Sequence, residues 1–235
     1  MKLVTIEEKG RPHTGVLNDD IGTVRDLSPV ADDIGGVLDV ISGGDVALDM
    51  IDGVVFEAPE IPLTDVRLMA PIPRPRKNIA AVGRNYLDHA KEFSDSGFDA
   101  SERQSVPDYP IIFDKAVTSV VGPYDNIDTS NDPSGTTDYE GELGVVIGLP
   151  GKGISPERAM DHVFGYTVIN DVTARELQKR HVQWHIGKSP DTFCPMGPCI
   201  VTKDELDITE SWLRTRVNGE LRQEAPISAM IFDIP

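Results

Sequence analysis

The segment Pro71-Ile72-Pro73-Arg74-Pro75-Arg76 sets three prolines at alternate positions. Each proline holds φ at about −65° and has no amide hydrogen to donate, so this stretch can be neither helix interior nor central strand. It divides the 235-residue chain into residues 1–70, a Pro-rich linker at 71–76, and residues 77–235. The first part carries strand-like runs at Lys2–Glu7, Gly15–Leu17 and Thr23–Leu27, then an apolar stretch around Val37–Ile41, and reads as a small domain.

The second part is richer in strand signals. Lys77–Val82, Ile111–Phe113, Val117–Val121, Gly144–Ile147, Tyr166–Asn170, Cys199–Thr202 and Arg214–Val217 are apolar or alternating runs bounded by Gly and Pro. Val217-Asn218-Gly219-Glu220 carries the Asn-Gly signal of a two-residue hairpin. Thr173-Ala174-Arg175-Glu176 fits a capping box, which predicts a helix starting just after Asp171. A helix is expected over residues 86–93, and the polar stretch Ser94–Pro107 lacks either apolar period and is expected to be a lid.

Charge excludes several functions. Asp and Glu number 39 against 22 Lys and Arg, a net charge of −17, which opposes binding to phosphate backbones. Acidity spread along the chain, with few lysines, suits a halophilic cytoplasm. No run approaches the ~18–20 apolar residues of a membrane helix, and Met1–Glu8 has no long apolar core of a signal peptide. A protein of the cytoplasm, off the membrane, is expected. Cys194 and Cys199, the only cysteines, are read as reduced and buried.

The chemistry-bearing residues are carboxylates. In Asp138-Tyr139-Glu140-Gly141-Glu142 a strand with period two turns Glu140 and Glu142 to one face. Such neighbours repel unless a cation sits between them, although an exposed Glu-x-Glu strand is equally a solvated face. Asp171 stands where an apolar strand meets a helix, so three carboxylates with open positions would suit Mg²⁺ or Mn²⁺; the alternative is that Asp171 only favours the helix N-terminus. His89 and Glu92, three apart on a helix, would share a face and could act as a general base for water, or be a surface contact. Lys188 and Lys115 read by default as solvated lysines. His181-Val182-Gln183-Trp184-His185 has the histidine spacing of a zinc protease but Val182 in place of its Glu, and no Gly-rich phosphate loop or nucleophile elbow occurs.

Five segments standing in this order resemble the fumarylacetoacetate hydrolase family. They are residues 82–89 (Val82-Gly83-Arg84-Asn85-Tyr86 to His89), Phe113-Asp114-Lys115 through Gly122-Pro123, residues 138–142, residues 165–175, and Gly187-Lys188-Ser189-Pro190-Asp191 to Pro195. The resemblance implies a β-rich α+β fold, a mixed β-roll preceded by a small N-terminal α/β domain, and a homodimer. It implies Glu140, Glu142 and Asp171 as ligands of Mg²⁺ or Mn²⁺, with Lys188 facing the substrate and His89 with Glu92 as the acid–base pair. Arg84 and Lys115 would take supporting roles in substrate binding. The family's sequences run on past the segment matching Ser228–Pro235 into a Thr-Gly-Thr-Pro-type loop that this sequence does not contain, so a C-terminally truncated catalytic domain is expected.

The function implied is metal-dependent chemistry on a 2-oxo acid through a chelated enolate. Carbon–carbon hydrolysis of an acylpyruvate, or related isomerase or decarboxylase chemistry, comes first. A 2-keto-3-deoxy sugar acid dehydratase is the alternative within the family, and a truncated homologue that binds metal or is purely structural is the alternative of another class.

Overall fold

Strand β1 (Lys2–Glu8) buries Leu3, Val4, Thr5 and Ile6 in succession, a pattern that arises when both faces of a strand are covered. Leu3 faces helix α1 (Val37–Val54), whose Val37, Val40, Ile41 and Ile51 complete one core. Val4 and Ile6 pack on the other side against Val24 and Leu68. α1 starts with Asp39 accepting a 2.9 Å hydrogen bond from the Gly36 amide, and it kinks at Gly44, which holds φ at +55°, a region open to glycine.

The computed structural model describes residues 1–31, 34–86 and 107–235. Their largest element is an antiparallel sheet. From one edge it runs β10 (Gly141–Ile147), β11 (Val163–Asn170), β14 (Ile200–Thr202), β1, β2 (Arg11–Asn18), β3 (Thr23–Asp26) and β4 (Glu60–Pro62), with β5 (Arg67–Leu68) also on β1. The join between the chain's two parts is the pairing of Lys2 with Val201 and of Leu3 with Ile200. One sheet therefore spans both sides of the Pro-rich segment, which itself contributes neither helix nor strand.

Smaller ladders complete the sheet-rich α+β fold. They are β6 (Ile79–Gly83) with β7 (Ile111–Lys115), β8 (Val120–Val121) parallel to β13 (Cys194–Pro195), β9 (Thr137–Asp138) with β12 (Thr173–Ala174), and β15 (Trp212–Val217) with β16 (Glu220–Pro226). The short helices α2 (Pro156–Ala159), α3 (Arg175–Arg180) and α4 (His185–Lys188) lie between them. Asn218 and Gly219 both hold positive φ, +52° and +84°, as the β15–β16 hairpin requires. No described helix is long and apolar enough to cross a membrane. Both cysteines are free; Cys194 is buried and Cys199 half-buried, and burial pushes the Cys194 thiol up to about 11.

Two local expectations are corrected. Val117–Ser119 form a 3₁₀ turn, and only Val120–Val121 are strand. The capping box at Thr173 does not form, because Thr173 is buried in β12 and its hydroxyl donates to the Asp171 carbonyl. The first amides of α3 are satisfied from another segment instead: Arg175 N–H donates to the Thr136 carbonyl and Glu176 N–H to the Thr136 hydroxyl.

Two glycines test the packing. A Cβ on Gly165 in β11 would run into the Val201 carbonyl of β14, whereas a Cβ on Gly53 in α1 meets nothing within 4 Å. Gly165→Ala is expected to destabilise by about 1–3 kcal/mol. Gly53→Ala is expected to stabilise by about 0.4–1 kcal/mol. Denaturant unfolding of the two variants measures both signs.

Candidate active site

The β10–β11 ladder places the carboxylates. Gly141 pairs with Asn170, so one step further along, Glu140 stands opposite Asp171. The Asp171 amide donates to the Glu140 carbonyl at 2.7 Å, and the Glu140 amide to the Asn170 side chain at 3.1 Å. Glu142 lies two residues along β10, on the same face as Glu140. All three line one cavity of about 810 Å³ together with Lys115, Lys188, Arg84, Tyr86 and Gln178.

Three cations meet these acids. Lys188 Nζ lies 2.6 Å from Glu140 Oε2 and 2.8 Å from Asp171 Oδ2, and its ammonium sits 5.0 Å from the centre of the Phe113 ring. Arg175 Nη1 lies 2.5 Å from Glu140 Oε1, while its Nε and Nη2 reach Asp138 Oδ2 at 3.0 and 2.7 Å. Lys115 Nζ is 2.6 Å from Asp171 Oδ1 and also donates to the carbonyls of Val172 and Lys188. Lys115 and Lys188 are 1% and 2% exposed, so the solvated reading of both is overturned: each has carboxylates to pair with in the interior.

Burial works against the Lys188 ammonium, yet Glu140 and Asp171 outweigh it and hold its pKa above the ordinary lysine value. For Lys115 burial wins over Asp171 and the shift is downward. For Arg175 the order is as for Lys188, with Glu140 and Asp138 prevailing over burial and raising it. Glu142 takes part in none of these ion pairs. Enclosure, then the nearby charges of Glu140 and Asp171, push its carboxyl up to about 8.

The donor set fits a divalent cation. With Glu142 ionised, Asp138, Glu140, Glu142 and Asp171 outnumber the three cations by one negative charge. Asp171 Oδ1 is buried without an aligned hydrogen bond, and Glu142 holds its negative charge only at a cost, so both oxygens have capacity to spare for a hard metal ion. Glu140, Glu142 and Asp171 are the residues that could hold it. A separate group, Glu8, His13 and Asp26, brings one ligand atom each within 4.8 Å. There the Asp26 oxygens already accept from Ser28 N and Oγ, both at 2.9 Å.

Arg84 is buried on the cavity wall with φ at +57°, reached through Gly83, where a Cβ would overlap the Trp184 ring. His89, Glu92, and all of the expected lid except Pro107 lie outside the described residues. Sequence reasoning passed over Asp138, Gln178 and the role of Arg175. Arg175 was absorbed into a capping pattern, and only its place three residues before Gln178, on one helix face, could have flagged the pair.

A family model described as fumarylacetoacetate hydrolase C-terminal matches residues 78–235, and one described as Rv2993c-like, N-terminal, matches residues 1–71. The oxaloacetate tautomerase YisK of Bacillus subtilis is 50% identical over 174 residues, 74% of this chain and 56% of that protein. The chain thus spans little more than half the length of this relative. Among solved structures, a fumarylacetoacetate hydrolase from Exiguobacterium antarcticum is 43% identical with a TM-score of 0.79, covering 99% of this chain and 78% of its own. A maleylpyruvate hydrolase from Sphingobium, solved with manganese(II) and pyruvate, is 25% identical with a TM-score of 0.76, covering 100% and 80%.

A pH dependence follows from Glu142. Its folded pKa of about 8 lies above the ordinary carboxyl value of about 4.3, so between these values the folded chain binds a proton that the unfolded chain has released. Stability of chelator-treated protein is expected to fall as pH rises through that window. Glu142→Gln is expected to flatten the slope, as read by urea unfolding at a series of pH values.

Proposed function

Because this chain belongs to the fumarylacetoacetate hydrolase family, whose members are enzymes, we propose that its cavity binds a 2-oxo acid beside a divalent cation and moves a proton at the carbon next to the keto group. Enol and keto forms of a substrate such as oxaloacetate would interconvert. The observation that carries this reading is the convergence of Glu140, Glu142 and Asp171 with buried Lys188 on one cavity. The name of the Bacillus subtilis relative supports the tautomerase form of it.

Glu140, Glu142 and Asp171 would hold the ion, Mg²⁺ or Mn²⁺, which when bound supplies a Lewis acid that stabilises negative charge on the keto oxygen. Lys188 Nζ remains an ammonium and adds preorganised positive charge beside that oxygen. Lys115 supports binding by holding the Asp171 carboxylate and the Lys188 carbonyl. Arg84 supplies a cation on the cavity wall for a substrate carboxylate. His89 with Glu92 would be the acid–base pair that takes and returns the proton. The homodimer, the cytoplasmic setting and adaptation to concentrated salt belong to the same reading, the last resting on the −17 net charge.

A second reading is carbon–carbon hydrolysis of an acylpyruvate, in which His89 and Glu92 activate water. The maleylpyruvate hydrolase neighbour, solved with pyruvate, favours it. Release of a carboxylic acid together with pyruvate from an acylpyruvate, against enol–keto interconversion of oxaloacetate with no second carboxylic acid formed, separates the two.

The test follows loss of enol absorbance on adding oxaloacetate enol to protein with Mg²⁺ or Mn²⁺. Lys188→Met and Asp171→Ala are each expected to lower kcat/KM about 100–1,000-fold, and chelation is expected to abolish turnover until metal is restored. An Asp171→Ala variant as active as wild type would overturn the reading.

A further inference from the structure

The Tyr86 hydroxyl is a buried polar group on a residue of the cavity wall that the proposed chemistry leaves unused. It is shut off from solvent and has no hydrogen-bond partner among the described residues. Its residue lines the same cavity as Glu140, Glu142 and Lys188, and Glu142 is the charged group that acts on it electrostatically. Burial and that charge push the phenol up to about 12, which keeps it a donor throughout the neutral range.

The placement of Tyr86 is fixed by its neighbours. Tyr86 forms an antiparallel bridge with Met230. The Asn85 side chain clasps Phe232, donating to its carbonyl at 2.9 Å and accepting from its amide at 2.7 Å, and the Asn85 carbonyl accepts from the Ile231 amide at 2.7 Å. Three hydrogen bonds made by Asn85, one of them belonging to the Tyr86–Met230 bridge, thus hold this stretch against residues 230–232. These contacts fix the backbone from which the Tyr86 ring projects.

A buried hydroxyl without a partner is a cost to the folded state. That cost is recovered when an anionic oxygen enters the cavity, because a hydrogen bond to a charged acceptor is stronger than one between neutral groups. We propose that Tyr86 is a substrate-binding residue, whose hydroxyl donates to an oxygen of the bound 2-oxo acid or its enolate form. This rests on the reading of the cavity as a 2-oxo acid site. The substrate class it selects is one that presents an oxyanion to Tyr86 while other oxygens face Lys188.

Tyr86→Phe removes the hydroxyl and keeps the ring, so the proposal demands opposite signs in two measurements. Without ligand, the variant unfolds at the same temperature as wild type or higher. With Mn²⁺ present, calorimetry shows oxalate, a stable mimic of the pyruvate enolate, binding about 10-fold more weakly, while affinity for Mn²⁺ alone is unchanged. Equal oxalate affinity in wild type and variant overturns the assignment. A lower unfolding temperature in the free variant also overturns it, by showing a partner within the protein, as does a parallel loss of Mn²⁺ affinity, by showing a role in holding Glu142. Failure of wild type itself to bind oxalate with Mn²⁺ would instead sink the 2-oxo acid reading of the cavity.

Discussion

Glu140 stands at the centre of the site's electrostatics, gripped by Lys188 on one oxygen and Arg175 on the other. Removing charges from water costs several kcal/mol per ion, and only close pairing offsets this. The arrangement is therefore interdependent. Lys188 is shared with Asp171, Asp171 with Lys115, and Arg175 with Asp138. Most members have two partners, so loss of one weakens the pairing of its neighbours, and loss of Asp171 leaves buried Lys115 without its carboxylate. Glu142 lies outside this pairing, and it is the acid whose protonation responds to pH.

The backbone that delivers these charges is simple. An antiparallel register puts Glu140 across from Asp171, and a main-chain hydrogen bond from the Asp171 amide to the Glu140 carbonyl joins them. Lys188 arrives from the end of α4, and Lys115 from the end of β7. Four chain segments far apart in sequence meet because the sheet and its flanking ladders fix their ends. The cavity wall extends to Leu38 and Ile41 of α1, so the N-terminal region helps to shape the cavity.

Much of this was legible from local pattern. The period-two spacing of Glu140 and Glu142, the strand leading to Asp171 and the Asn218-Gly219 turn depend on a few adjacent residues, and each stands where its pattern indicated. The carboxylate trio's meaning came from five motifs in order rather than from any one of them. Burial of Lys115 and Lys188 was not legible, because a lysine's burial depends on partners contributed by distant strands. The Thr173 pattern misled for a related reason: a buried β12 pairing took the hydroxyl, and Thr136, some forty residues away, supplied the cap.

The pairing of β1 with β14 joins Leu3 to Ile200, positions 197 apart in the chain. At synthesis rates of about 5–20 residues per second, the ribosome needs roughly 10–40 s to deliver the second partner after the first. Throughout that interval β1 has β2 on one edge, while on the other, where β5 covers Ile6 and Glu7, the backbone at Lys2 and Leu3 stays open. Such an edge recruits other strands, so the nascent chain has a period of exposure set by topology alone. The central sheet of this protein is completed late, and its yield in a cell depends on what shields that edge while it waits.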